Sequence, residues 1–133
     1  MTDTAPRDLT YIGHMLDSIA RIRQFVGRKR RAGFLGSRLV QDAVIRNIEI
    51  IGEAAGQLSP ALIAGHAAIP WRKIVGMRHR LIHGYVQVDL QTVWNVIARD
   101  LPALEKNLLA LVQVSPPAAS RLRARRRRPP AFL

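Results

Sequence analysis

The stretch LQTVWNVIARDLPALEKNLLALV, residues 90–112, decides the fold class. Its apolar side chains recur at alternating spacings of four and three residues, as in a helix that packs along one narrow stripe. The stripe comprises Leu90, Trp94, Ile97, Leu101, Leu104, Leu108 and Leu111. Asp89 stands where an N-cap is expected, and Pro102 is expected to kink the helix modestly. An apolar stripe of this length predicts a helix that packs in a helical bundle.

Three upstream segments show the same helical periodicity, over about residues 9–26, 40–58 and 70–84. Ser37 is the predicted N-cap of the second helix, and the end of the first is expected to fray over Gly27–Arg31. The loop between the second and third helices has room for one short helical turn. Because no segment shows a strong strand alternation, we expect an all-α protein, a bundle of four to five helices.

The net charge of +12 is concentrated in two blocks. Residues 21–31 hold six Lys/Arg and no acid, and residues 115–133 hold six Arg and no acid. The remainder is formally neutral, with nine basic residues (21 − 12) against nine acids. Such blocks favour polyanions, with nucleic acid ahead of an anionic membrane. We expect a helical domain over residues 1–114, followed by a disordered, Arg- and Pro-rich tail over residues 115–133.

Several classes of protein are excluded by composition. The absence of cysteine excludes disulfides and thiolate metal sites. No apolar run approaches the roughly 20 residues that span a bilayer, and Met1–Arg7 lacks the apolar centre of a secretory signal. We therefore expect a cytoplasmic protein without a membrane partner.

An arginine interrupts the apolar face of the third predicted helix. With about 100° per residue, Trp71, Ile74 and Val75 all lie within about 60° of Arg78 around the helix. A buried guanidinium is costly unless it is paired or hydrogen-bonded. Arg78 therefore either forms a structural ion pair, with Glu49 or Glu53 as partner, or lines a cleft that binds an anion.

The residues around Arg78 are chemically rich. His79 and His83 are i, i+4 neighbours, and Arg80 and Tyr85 lie close in sequence. Arginine holds phosphate through two contacts, and histidine moves protons near neutral pH, so together they suit metal-free phosphodiester cleavage. A histidine pair can also bind zinc, but no third ligand is evident. We expect neither a metal nor another cofactor.

Three blocks of sequence resemble one branch of the HEPN superfamily, the HepT-like proteins. The blocks read IRNIEIIGEAAGQLS (45–59), IPWRKIVGMRHRLIHGY (69–85) and VWNVIARDLPAL (93–104), and they occur in the order typical of that branch. The second block contains the Arg-x4-His-x-Tyr motif, formed here by Arg78, His83 and Tyr85. The resemblance covers roughly residues 8–114.

The resemblance implies a specific function. HepT-like proteins are all-helical toxins of toxin–antitoxin pairs, and they act as metal-independent endoribonucleases with a cleft at a homodimer interface. Their antitoxin is a minimal nucleotidyltransferase (MntA-like) that transfers AMP to the motif tyrosine. Carried over, Arg78 and His83 are the catalytic pair and Tyr85 is the AMPylation site. His79 stands where the branch often has Asn.

Other residues are given supporting roles. Asn47 and Glu53, inside the first family-like block, are candidates to orient Arg78, and the alternative is a solvated helix face. The predicted RNA contacts are Arg80, Arg28, Lys29, Arg30 and Arg31. Two other functions stay open: a non-catalytic HEPN module that binds a nucleotidyltransferase or RNA, and a cationic nucleic-acid-binding protein.

Overall fold

A computed structural model of the chain describes residues 4–83 and 89–113, and for residues 78–83 it describes the backbone alone. Every regular element in this part of the chain is a helix. The helices are α1 (Pro6–Val26), α2 (Arg30–Leu35), α3 (Arg38–Gly56), α4 (Pro60–Gly65), α5 (Trp71–His83), α6 (Leu90–Asn95), a π-helical segment (Val96–Asp100) and α7 (Leu101–Val112).

The bundle is built around α3, which packs against both α1 and α5, while α7 closes the other side of α1. Fully buried aliphatic side chains fill the centre, among them Ile12, Ile19, Ile48, Ile51 and Leu108. The all-α prediction is confirmed. The four predicted helices are present, the fourth as the continuous run of α6, the π-helical segment and α7. The short helical turn expected between the second and third of them is α4, and the six-residue helix α2 is an addition.

Predicted caps are confirmed at two helix starts. The side chain of Ser37 accepts the backbone N–H of Val40 at 3.2 Å, and Asp89 accepts that of Gln91 at 2.9 Å. The hydroxyl of Thr92 and the amide of Gln91 hold the pKa of the Asp89 carboxyl below its usual value. This stabilisation is present above the ordinary pKa of an aspartate, and it is lost as the pH falls through the lowered one.

Two local predictions were wrong. Gly27–Arg31 does not fray: Gly27 ends α1 at a φ of 62° and ψ of −154°, a conformation open almost only to glycine, and α2 begins three residues later. The third helix begins at Trp71, one residue after Pro70. Pro102 lies in the first turn of α7, next to the π-helical segment, and the modest kink expected there stays a prediction.

Asp8 has a different role from the helix start that its position in the sequence suggests. Its side chain is buried, with the residue 3% exposed, and it accepts hydrogen bonds from the backbone N–H and the hydroxyl of Ser59 at 2.9 and 2.6 Å. The Ser59 hydroxyl in turn accepts the N–H of Leu62 and so caps α4. Asp8 therefore ties α1 to the connection between α3 and α5.

Two expectations concern parts of the chain that the structure tests only partly or not at all. The tail, residues 115–133, lies outside the described residues, so the boundary at residue 114 stays a prediction. Among the helices of residues 4–83 and 89–113, none is both long and apolar enough to cross a membrane.

We expect Asp8→Ala to lower the free energy of unfolding by about 1–3 kcal/mol, because the variant leaves two partly buried Ser59 donors without their charged acceptor. Urea unfolding measures the loss. Asp42→Ala is the matched control: Asp42 forms only an exposed pair with Arg38, and its loss should cost less than about 0.5 kcal/mol. Equal effects of the two variants would contradict the anchoring role of Asp8.

Candidate functional site

The helix that carries the predicted motif, α5, is fixed to the bundle by its first half. Trp71, Ile74 and Met77 are buried, and the indole N–H of Trp71 donates to the carbonyl of His66 at 3.1 Å. Val75 was expected on this apolar face, but it is 40% exposed. The buried arc therefore runs from Trp71 through Ile74 to Met77, and position 78 lies within it, about 20° from Trp71 around the helix.

The motif itself lies in the second half of α5 and beyond it. The backbone of α5 continues to His83, so Arg78, His79, Arg80 and His83 belong to one helix. Their side chains, and Tyr85 altogether, lie outside the described part of the structure. Five residues of α-helix separate positions 78 and 83 by about 7.5 Å along the axis and about 140° around it.

Asn47 is buried within the packed side of α3. The residue is 6% exposed, and its Nδ2 donates to the carbonyl of Ala43 at 2.9 Å. Its Oδ1 has no hydrogen-bond partner among the described residues. A buried amide oxygen on the helix that holds α5 is therefore available to accept a donor, as the predicted supporting role requires.

Glu53 lies on the other side of α3, at the protein surface. Arg46 bridges two carboxylates there, at 3.5 Å from Glu49 and 4.0 Å from Glu53. Glu53 is therefore separated from Asn47 around the helix, and the described contacts do not bring the two supporting candidates together.

The predicted basic contacts Arg28, Lys29, Arg30 and Arg31 are all exposed, between the end of α1 and the first turn of α2. Arg30 has a φ of 49°, in the left-handed region that non-glycine residues rarely adopt. Arg31 contacts the amide oxygen of Gln91. The cluster is therefore a defined surface beside α6.

No three histidine or acidic side chains among the described residues are close enough together to hold a metal ion. The histidines of the motif are outside that set. Metal independence therefore stays a prediction for experiment.

Two exposed features near these candidates were not found by sequence analysis. Val75 was placed on the apolar stripe, because periodicity alone does not locate the edge of a buried face. The sequence also did not reveal a groove beside the basic cluster, because the two walls of this groove come from segments about 70 residues apart. Its only signal in the sequence was the basic run itself.

Comparison with known proteins gives a consistent family. Residues 15–111 match the family model described as "Ribonuclease HepT-like". The chain is 36% identical over 95 residues to the probable ribonuclease HepT of Thermococcus cleftensis, covering 71% of this chain and 86% of that protein. A candidate RNase of Caldanaerobacter subterraneus subsp. tengcongensis is 32% identical over 103 residues, 77% of this chain and 92% of that protein.

The name of one longer relative includes a second activity. It is a gamma-glutamylcyclotransferase and candidate RNase of Methanocaldococcus jannaschii, 39% identical over 103 residues, 77% of this chain. The present chain spans 46% of that protein, so it matches about half of its length. No solved structure matches the chain.

Proposed function

Because the chain belongs to the HepT-like ribonuclease family, we propose that it is a metal-independent endoribonuclease, the toxin of a toxin–antitoxin pair. The observation that carries this proposal is the family match, which runs over residues 15–111 and includes the whole of α5. RNA is accordingly its substrate. Arg78 and His83 are the catalytic pair that we assign within that helix.

The chemistry needs only groups that the chain supplies. The 2′-oxygen of a ribose attacks the adjacent phosphorus after losing its proton to a base, and the 5′-oxygen of the next nucleotide leaves with a proton from an acid. The products are a 2′,3′-cyclic phosphate and a free 5′-hydroxyl. Histidine suits both proton transfers near neutral pH, and the Arg78 guanidinium offsets the extra charge on the phosphorane.

Two motif helices account for this chemistry better than one. One chain offers a single His83, whereas the reaction needs a base and an acid. A twofold dimer brings two His83 and two Arg78 into one cleft, so that one histidine removes a proton while the other donates one. His79, in the same helix, is proposed to help position the phosphate.

The exposed apolar side chain of Val75 supports a dimer through this face. Val75 precedes Arg78 by three residues and His79 by four, so it lies one helical turn from both on the surface of α5. Val75 is apolar and 40% exposed, so covering it with a partner would remove apolar surface from water and favour association through α5. A second copy of α5 is the partner that we propose.

We expect His83→Ala to lower the rate of RNA cleavage about 10²- to 10⁴-fold, since one variant removes both the base and the acid of the dimer. The assay uses end-labelled RNA with EDTA present, and the wild type should leave cyclic phosphate ends. His14→Ala, an exposed histidine of α1, should cleave like the wild type.

Loss of wild-type activity in EDTA would contradict the metal-free mechanism. Cleavage by His83→Ala at the wild-type rate would remove His83 from the site. If no variant, wild type included, cleaves any of several RNAs while mass spectrometry shows Tyr85 unmodified, the chain is a binding module.

We expect Val75→Asp to weaken the dimer by at least about tenfold, because the variant places an unpaired charge in an apolar contact. Sedimentation equilibrium measures the association constant. Leu39→Asp is the control, because Leu39 is an apolar residue, 80% exposed, that belongs to the start of α3 and not to the motif helix. An unchanged dimer in Val75→Asp would place the interface elsewhere.

The proposed off-switch is AMPylation of Tyr85 by an MntA-like nucleotidyltransferase. The phenolic oxygen attacks the α-phosphorus of ATP and loses its proton, pyrophosphate leaves, and AMP stays on the tyrosine. Tyr85 is seven residues from Arg78 in the sequence, so we expect the adduct to bring bulk and negative charge close to Arg78. It competes with RNA for the same guanidinium.

We expect Tyr85→Phe to stay fully active after incubation with a purified MntA-like nucleotidyltransferase and Mg-ATP, whereas the wild type should be silenced and carry AMP by mass spectrometry. Tyr11→Phe is the matched control, and it should be silenced like the wild type. Silencing of Tyr85→Phe would show that the switch is another residue or simple binding.

A further inference from the structure

A groove of about 700 Å³ runs along the bundle on a side that α5 does not line. One wall is formed by the end of α1 and the connection to α2, and the other by the end of α6, the π-helical segment and the start of α7. Its floor is apolar: Trp94 and Ile97 are partly exposed there, and the buried side chains of Ile22, Val26 and Leu101 lie beneath them. Its size is that of a ligand pocket. We refer to it as the basic groove.

The rim of the basic groove carries positive charge without matching acids. Arg28, Arg30 and Arg31 line it, and no carboxylate among the described residues forms an ion pair with any of the three. Arg31 contacts the neutral amide of Gln91, which orients its guanidinium without cancelling its charge.

A fourth arginine at the groove is neutralised. Arg23 donates from both terminal nitrogens to the Glu105 carboxylate, at 3.2 and 3.0 Å. The contrast shows that the bundle provides an acid where an arginine is used for structure. The three uncompensated guanidiniums are therefore the ones available to an anionic ligand.

Both walls also depart from regular backbone at the groove. Arg30 has its left-handed φ of 49° on one wall. On the other wall, Ile97 and Ala98 belong to the π-helical segment Val96–Asp100. π-Helical turns are rare and occur frequently at functional sites. These irregularities place charged and apolar groups around one opening.

We propose that the basic groove binds an unpaired nucleotide of single-stranded RNA outside the cleavage site. The base covers the Trp94 indole and the aliphatic floor, and the flanking phosphates contact Arg28, Arg30 and Arg31. Duplex RNA leaves this floor uncovered, since its bases are stacked and paired. The groove therefore selects single-stranded substrates. This inference rests on the proposed ribonuclease function, because that function makes RNA the ligand.

An acidic amphipathic peptide is the other ligand that a cationic rim and an apolar floor admit. RNA is favoured because three guanidiniums without a carboxylate partner among the described residues lie within four consecutive residues, and a nucleic acid offers several phosphates in succession. Arginine binds phosphate through two contacts and stacks on bases, and Trp94 supplies an aromatic surface.

The test uses the full chain with His83→Ala as background, so that RNA is bound and not cut. Ala98 is exposed in the groove wall, and Ala98→Glu adds bulk and negative charge there. Ala110→Glu makes the same change at an exposed position of α7 that does not line the groove. Fluorescence anisotropy measures the Kd for a single-stranded RNA of about 12 nucleotides and for a blunt duplex of the same length.

We expect Ala98→Glu to raise the Kd for single-stranded RNA by about fivefold to 150-fold relative to Ala110→Glu, which is the range for the loss of one stacked base. The Kd for the duplex should be the same in both variants. Equal weakening by the two variants, or equal weakening of single strand and duplex by Ala98→Glu, would overturn the proposal in favour of phosphate contacts alone.

Arg30→Gly provides a second test, which separates a role of Arg30 in RNA binding from a purely structural role. The variant removes one guanidinium and relieves the left-handed φ. We expect single-stranded RNA binding to weaken while the midpoint of thermal unfolding is unchanged or higher. Unchanged binding with a lower midpoint would overturn the proposal.

These experiments distinguish a failure of the groove proposal from a failure of the ribonuclease assignment. Cleavage by the otherwise wild-type chain, with no effect of Ala98→Glu on its KM for single-stranded RNA, would overturn the groove alone. Binding dependent on Ala98 in a chain that cleaves no RNA would support the groove and overturn the ribonuclease assignment. Tight, Ala98-dependent binding of an amphipathic Leu/Glu peptide in place of RNA would reassign the groove to a protein partner.

Discussion

The packing of α5 against α3 is the contact on which the site depends. Trp71, Ile74 and Met77 are buried at three-residue intervals, and together they fix the rotation of α5 about its own axis. Because helical register is continuous through His83, the same rotation sets where each motif position stands. Position 78 lies within the buried arc, about 20° from Trp71, and position 83 lies about 120–180° from the three buried residues. The two catalytic positions that we propose are therefore about 140° apart on a helix whose first half is fixed to the bundle.

The long helices were predictable from sequence because their stripes are long and regular. The helical run over residues 90–112 was predicted from the spacing of its apolar residues alone. The caps at Ser37 and Asp89 were predicted because serine and aspartate are residue types that cap helices. Features that depend on three-dimensional contacts were not predictable. Asp8 bonds to Ser59, 51 positions away, and no local pattern reveals such a partner. The helix α2 is only six residues long, too short to show a period, and the π-helical segment changes hydrogen bonding without changing the apolar spacing.

The candidate site, too, was predictable from the sequence only in part. The family was predicted from three ordered blocks and is confirmed, because residue identity alone carries that information. The relation of Asn47 to its surroundings required the fold: burial of the whole residue, a bond from Nδ2 to Ala43, and an Oδ1 without a described partner. Val75 was predicted on the buried face of its helix but is exposed, because the spacing of apolar residues does not show where a buried face ends. The basic groove joins Arg28–Arg31 to Trp94 and Ile97, and only the packing of α2 against α6 brings these segments together. The arginines were visible in the sequence, but their apolar floor was not.

In the mechanism that we propose, two motif helices share one reaction, with one His83 as base and the other as acid. A heterodimer of one wild-type chain and one His83→Ala chain, isolated through two different affinity tags, tests this claim most directly. Its single-turnover rate on RNA, with EDTA present, is compared with the rates of the two homodimers. A shared cleft predicts a rate close to that of the His83→Ala homodimer, since every cleft then lacks either its base or its acid. A rate of half the wild-type value or more would contradict the account, because each chain would then carry a complete site of its own.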